Sequence, residues 1–343
     1  MTFEKSNANG GVDVSSGTVN FNGVTFESLS SASNGGAVSL SGGTANFTSC
    51  KFDKNDASNG GAVAISGGTA TFSNTAEFTG NTATTNGGAI YITGGTASFT
   101  GTATFNGTNS AANGGVLAVT GGNVSFSGTP TFEANTATAD GGVFYVTNGA
   151  VTLESASTFR NNTAAANGGA VSITGGSITF NSRAAFDSNK ATGAAANGGA
   201  LYITGGAVTV ASGSEFKNNT AAINGGAILL DSSGTTLALT NATFTGNNAT
   251  GGYGGAVVTG TSGGTLNVAG CRFEQNNAGI DGGAVYITSG TVSFTGSSSN
   301  TFTRNTATGN GGAVYVAGGT EIKFSGTSEF TSNNATSGNG GAV

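Results

Sequence analysis

A Phe recurs about every 27 residues along this chain, and the position after it is the first place to look for chemistry. Three consecutive instances of that position hold acids: Glu4, Glu27 and Asp53. Glycoside hydrolysis uses two carboxyl groups ~5–9.5 Å apart. If consecutive instances stack as neighbouring strands ~4.8 Å apart, these acids come close to that spacing. No basic cluster or departure from the surrounding pattern accompanies them, and Arg is confined to Arg160, Arg183, Arg272 and Arg304. No catalytic site is therefore expected, and the chain is read as a non-enzyme. Four later instances, Glu133, Arg160, Asp187 and Lys217, alternate in sign, the pattern of a surface ion-pair ladder.

The second candidate is aromatic. Tripeptides such as Ile90-Tyr91-Ile92, Leu201-Tyr202-Ile203 and Val285-Tyr286-Ile287 place Tyr91, Tyr145, Tyr202, Tyr286 and Tyr315 in one outward column, with Ala118, Ser172, Leu229 and Val258 between them. Exposed aromatic rings on a rigid strand anchor protein partners or stack on sugars. Tyr also favours strands for its own sake. Thr-x-Thr pairs (Thr82 and Thr84, Thr102 and Thr104, Thr136 and Thr138, Thr306 and Thr308) bring an ice-binding surface to mind, but they fall in two parts of the repeat and form no continuous column.

Composition narrows the remaining chemistry. The 343 residues include no His, so His-based triads and His-ligated metals are excluded, and no cofactor or metal site is expected. A net charge of −6 argues against nucleic acid as a partner. No apolar run approaches the ~18 residues of a membrane span, so no membrane insertion by this segment is expected. The Gly pairs lack the Gly-x-Asp that would complete a calcium-binding nonapeptide, and no Gly-rich loop is followed by Lys-Ser/Thr. Cys50 and Cys271 share one slot, two residues before the Phe, eight repeats apart. At the stacking distance they are too far apart for an intramolecular bridge; intermolecular bridging stays open.

What must position these residues is a repeat. Gly is 63 of 343, charged residues only 8%, and Gly-Gly pairs punctuate the chain from Gly10 to Gly340 at intervals of 25 to 30 residues. Each interval reads as three short strands with period-2 alternation. The first follows the Gly pair, the second carries pairs such as Ala97 and Phe99, and the third ends in the recurrent Phe. A polar Asn/Thr/Ala corner then leads to the next Gly pair. Gly, Thr, Ser and Asn are poor helix formers and no 3.6-residue stripe appears. Three strands cannot close a core alone, but coil stacked on coil can. The expected fold is all-β: a right-handed, single-stranded parallel β-helix of about 12 coils of ~27 residues, forming a single array over 1–343. The first repeat is read as irregular, with Asp13 in the place of Val38.

Two Asn positions recur with the repeat. One precedes the Gly pair, as in Asn59, Asn86, Asn113, Asn167, Asn197 and Asn224; Asp140, Asp281 and Tyr253 replace it. The other stands three residues after the Phe, as in Asn81, Asn135, Asn162, Asn189, Asn219 and Asn247. Both are read as structural ladders in which stacked amides hydrogen-bond along the coil axis and satisfy corner backbone groups.

The pairing of Gly-Gly-Ala-[Ile/Leu/Val] with Phe-x-x-Asn resembles the chlamydial polymorphic membrane protein repeats. The first stands as Gly87-Gly88-Ala89-Ile90 and Gly282-Gly283-Ala284-Val285, among ten matches in thirteen sites; the second stands as Phe52-Asp53-Lys54-Asn55 and Phe216-Lys217-Asn218-Asn219, also ten of thirteen. The resemblance implies the surface-exposed, β-helical passenger of an autotransporter acting as an adhesin, at the cell surface or outer membrane or secreted. Its partner would be a host or cell-surface protein or glycan. Alternatives are a passive surface spacer, a polysaccharide-active β-helix enzyme or an ice-binding solenoid. Members of that family carry a signal peptide and a C-terminal β-barrel. The chain begins at Met1-Thr2-Phe3-Glu4 inside a repeat and stops at Val343 after a Gly pair. It is therefore expected to be a fragment without those parts or end caps.

Overall fold

In the computed structural model, residues 2–4, 11–318 and 321–343 are described. Among them every regular element is a strand, every pairing is parallel, and the chain is a parallel β-solenoid of about 12 turns. It forms two compact units, Met1–Thr163 with Val171–Asn181, and Ala164–Ala170 with Ser182–Val343.

One turn of the first unit shows how the residues build the coil. A first strand, Ile90–Ile92, sits just after the Gly pair; a second, Thr96–Phe99, and a third, Thr102–Asn106, follow; a fourth, Ser110–Ala111, completes the turn before Leu117–Val119 starts the next. Ile90, Tyr91 and Ile92 stand opposite Leu117, Ala118 and Val119, so like slot lies on like slot. The second and third strands belong to one sheet in this unit and even fuse, as in Thr44–Asp53 and Thr69–Thr79. Three sheets per turn result, but from four strand segments. The fourth is the stretch that reads in sequence as a polar corner. It is only two residues long in most turns, with a single inward Ala such as Ala111, Ala137 or Ala221, and offers no alternation to detect. At the start of the chain the backbone slides by one: Val12 pairs with Val38 and Asp13 with Ser39, so Asp13 occupies an outward slot and the apolar column is intact. Gly10 lies outside the described residues.

The core is a set of files. In the first unit Phe26, Phe52, Phe78, Phe105, Phe132 and Phe159 are fully buried and stack face to face with ring centroids 4.6 to 5.1 Å apart. A second file, Phe21, Phe47, Phe72, Phe99 and Phe126, runs beside it at 4.4 to 5.1 Å. Rings of the two files meet edge to face, as Phe72 and Phe78 do at 63°. Stacked and T-shaped contacts are the favoured aromatic geometries, so parallel strand spacing and ring preference agree. The second unit keeps one file, from Phe186 through Phe216, Phe244, Phe273 and Phe302 to Phe330, at 4.7 to 4.9 Å. Its second file is aliphatic at Leu239 and Val268 and returns to aromatic at Phe294 and Phe324, which stack at 4.7 Å.

Corner chemistry explains both sequence motifs. Two residues after the Phe the backbone enters the left-handed region, at Lys54, Gly80, Ala134, Asn218, Gln275 and Arg304 among others. That step turns the chain and aims the next side chain, the Asn, inward. For a non-Gly residue it costs roughly 1–2 kcal/mol, which the buried amide bonds described below offset. At the Gly pair, the first Gly is left-handed and the second is walled in by backbone: a Cβ on Gly88 would strike the carbonyl of Gly115 and the backbone of Ser110.

Candidate functional site

The amide after the Phe forms a closed relay. In the first unit Asn55, Asn81, Asn109, Asn135 and Asn162 are fully buried. Each of the first four donates its backbone N–H or its Nδ2, or both, to Oδ1 of the Asn one turn on, at 2.9 to 3.1 Å. Nδ2 also donates to the carbonyl of the Phe one turn back, as Asn81 does to Phe52 at 3.0 Å. Leu29 starts the run, its N–H bonded to Asn55 Oδ1 at 3.1 Å. Asn109 is absent from the Phe-x-x-Asn pattern because Phe105-Asn106-Gly107-Thr108 inserts one residue; two successive left-handed residues, Gly107 and Thr108, absorb it. The second unit repeats the relay from Asn189 through Asn219, Asn247, Asn276 and Asn305 to Asn333.

The amides before the Gly pair are half-buried and run the other way. Asn86 donates to Asn59 Oδ1 at 3.0 Å, Asn113 to Asn86 at 3.3 Å, and Asn197 to Asn167 at 3.2 Å. Asn224 and Tyr253 continue this run with their backbone N–H groups. Both sets of Asn residues are thus engaged with their own counterparts and backbone.

The acids do not assemble a reaction centre. Glu27 and Asp53 stand in register on adjacent strands, but Asp53 is nearly buried and lies 3.8 Å from both Lys51 and Lys54. Those two cations flank it, a pairing hidden in the sequence because they lie on either side of the Phe-Asp step. The side chain of Glu4 lies outside the described residues. Arg160 makes a two-nitrogen contact with Glu133 Oε1, at 3.1 and 2.8 Å. Asp187 and Lys217 are register neighbours in the second unit. No group of three or more acids or thiols suited to a metal occurs among the described residues. Cys50 and Cys271 are free and buried; burial pushes the Cys271 thiol up to about 11 and raises that of Cys50 as well.

In the second unit the aromatic column gathers surface side chains into a concave site. In the first unit Tyr91 and Tyr145 are separated by Ala118, half-buried and apart. In the second unit Tyr202, Leu229, Val258, Tyr286 and Tyr315 are consecutive in register. Leu229, Val258 and Tyr286 form a buried cluster against which Tyr202, Tyr253 and Tyr315 pack. Tyr286 stacks between Tyr253 at 4.3 Å and Tyr315 at 5.6 Å. Burial, and after it the neighbouring Tyr253, Asp281 and Tyr315, raises the Tyr286 phenol above its usual range. Tyr253 was legible only as a break in the Asn pattern; its ring extends the tyrosine column. A groove of about 310 Å³ opens here, with Tyr202 and Tyr286 at its ends, Leu229 and Val258 between them, Asn224 and Tyr253 along one side and Asp231 and Thr261 along the other.

No helix of the described residues is long and apolar enough to cross a membrane. Comparison with known proteins adds two family matches. Residues 183–328 match the right-handed β-helix region family. Residues 75–93 and 156–174 match the Chlamydia polymorphic membrane protein repeat, and both segments run from just before a Phe-x-x-Asn corner through the following Gly pair into the first strand. Neither a curated protein nor a solved structure matches the chain. Corner, Gly pair and strand, in the order the matches require and with the buried amide where the turn needs it, make this chain a right-handed β-helix carrying polymorphic membrane protein repeats.

Proposed function

We propose that the chain is a surface-exposed, non-catalytic passenger segment that acts as an adhesin, presenting the tyrosine face of its second unit to a host or neighbouring cell-surface molecule. One observation carries the reading: in a fold whose outward slots are mostly Thr, Ser and Asn, three Tyr rings line one groove of the sheet and a fourth, Tyr315, stacks behind Tyr286. Rigid amphipathic rings supply contact area at low entropy cost and dominate binding hot spots. Surface display follows the repeat family, and the ion-paired Asp53 and Glu133 support a structural rather than a chemical role for the charged column.

The test is adhesion of beads coated with the full chain to epithelial cells. Beads carrying Tyr202→Ser, Tyr253→Asn, Tyr286→Ser and Tyr315→Ser together should lose most binding, while Tyr91→Ser with Tyr145→Ser should not. Equal binding by the fourfold variant would overturn the contact face, and no binding by the parent chain would leave a spacer.

A further inference from the structure

We propose that the groove of the second unit is a subsite for a short neutral oligosaccharide. This rests on the adhesive reading above and narrows its partner to one chemical class.

The groove is built by coordinated departures from the repeat. Elsewhere the link from first to second strand is short: three residues separate Ile203 from Ala207, Ile287 from Thr291 and Ile92 from Thr96. In two adjacent turns it is five residues, between Leu230 and Thr236 and between Thr259 and Thr265. These are the turns in which the outward slot is Leu229 or Val258 rather than Tyr. The floor is lowered and the wall raised in the same two turns. The wall is preorganised: Asp231 Oδ1 accepts from the Ser262 N–H at 2.5 Å, the Ser232 N–H donates to the Gly263 carbonyl at 3.0 Å, and Thr235 bonds to Ser232 through their hydroxyls at 3.0 Å. On the opposite side Tyr253 replaces the ladder Asn and lays its ring on Tyr286.

Size and chemistry select the occupant. Tyr202 and Tyr286 are three strands apart, about 14 Å at the ~4.8 Å strand spacing, room for a di- or trisaccharide. The volume of about 310 Å³ is at the small end of ligand pockets, ~300–1,000 Å³. Sugar rings offer an apolar face to aromatic rings and hydroxyls that both donate and accept. The groove offers the complement: among the described residues Asp231 keeps Oδ2 without a donor, Asn224 keeps Nδ2 without an acceptor because only its Oδ1 is engaged, and the phenols of Tyr253 and Tyr286 make no hydrogen bond. An apolar peptide would bury these groups unpaired, at a cost of roughly 1–3 kcal/mol each. No Lys or Arg lines the groove, and Asp231 does, so sulfated and sialylated glycans meet a carboxylate with no cation to match their charge.

The experiment titrates the full chain with two neutral trisaccharides, triacetylchitotriose and maltotriose, and with a heparin-derived oligosaccharide, by tyrosine fluorescence and saturation-transfer NMR. At least one neutral trisaccharide should bind saturably, and heparin should not. Tyr253→Asn restores the residue that this slot carries in most turns, so it preserves the fold; it should weaken binding about tenfold, a change of ~1.4 kcal/mol. Tyr91→Ser with Tyr145→Ser should leave binding unchanged. Absence of saturable binding to both neutral sugars, tighter binding to heparin, or a Tyr253→Asn protein that binds like the parent would each overturn the proposal. Bead adhesion measured alongside separates the two readings. Adhesion that persists while neither sugar binds refutes the saccharide subsite alone; sugar binding without adhesion refutes the adhesive role alone.

Discussion

Replacing Asn247 by Ala tests the buried relay most directly. The side chain is fully buried and makes four hydrogen bonds: Oδ1 accepts the N–H and the Nδ2 of Asn219, both at 3.0 Å, and Nδ2 donates to the Phe216 carbonyl and to Asn276 Oδ1, both at 2.9 Å. The variant strands the Asn219 N–H in the core. Asn219 Nδ2 keeps its bond to the Phe186 carbonyl, and Asn276 Oδ1 keeps the backbone N–H of residue 247. A stranded buried donor costs roughly 1–3 kcal/mol and each lost net bond about 1 kcal/mol, so the loss should be about 3–5 kcal/mol. Asn224→Ala is the control: that amide is half-buried and gives the Tyr253 N–H one acceptor, so its removal should cost about 1 kcal/mol. Urea unfolding of the intact chain, read by circular dichroism and tyrosine fluorescence, ranks the two. Native-state hydrogen exchange should show the Asn219 amide losing protection in the first variant only. If Asn247→Ala destabilises no more than Asn224→Ala, the relay does not hold the coil together in the way its geometry implies.

Three further outcomes concern inward slots, corner glycines and the buried thiol. Thr259 occupies an inward slot between Leu230 and Ile287 and its hydroxyl is buried without a partner, so Thr259→Val should raise the urea midpoint by an equivalent of about 1 kcal/mol. Gly88→Ala should prevent folding of its turn, seen as loss of soluble protein or of protection in residues 82–117. Gly17→Ala, left-handed but facing open space, should cost only about 1 kcal/mol. The folded Cys271 thiol ionises near 11, above its ordinary 9.0, so the unfolded chain releases its proton first as pH rises. Stability should hold below pH 9 and fall between pH 9 and 11, and Cys271→Ala should flatten that decline.

Much of the fold was open to reading because the chain states it a dozen times. A Gly pair marks each corner, a Phe marks each core file, and the equal spacing of Phe78, Phe105 and Phe132 anticipates one continuous stack. What escaped were features that periodicity suppresses. The Thr-Ala strands are too short to alternate. Asn109 was hidden by a one-residue insertion whose conformational remedy, two left-handed residues in succession, has no sequence signature beyond Gly107. The groove was harder still. Tyr202 and Tyr286 were visible as members of a column, but Leu229 and Val258 looked like interruptions and Tyr253 like an exception. A depression is made by side chains smaller than their neighbours and by links longer than their neighbours. Neither registers in a search for what repeats, and their coincidence in the same two turns appears only when the strands are laid in register.

The two amide runs have an evolutionary corollary. Within either unit, each Asn of the buried relay bonds to its own counterpart and to backbone one turn away, so no turn holds a unique address in that network. Duplicating or deleting a whole period of coding sequence therefore regenerates the same hydrogen bonds at the new junction. Length can drift through exchange of whole repeats without a compensating mutation in the relay, while the singular turns around Tyr253 are the part that such exchange would erase.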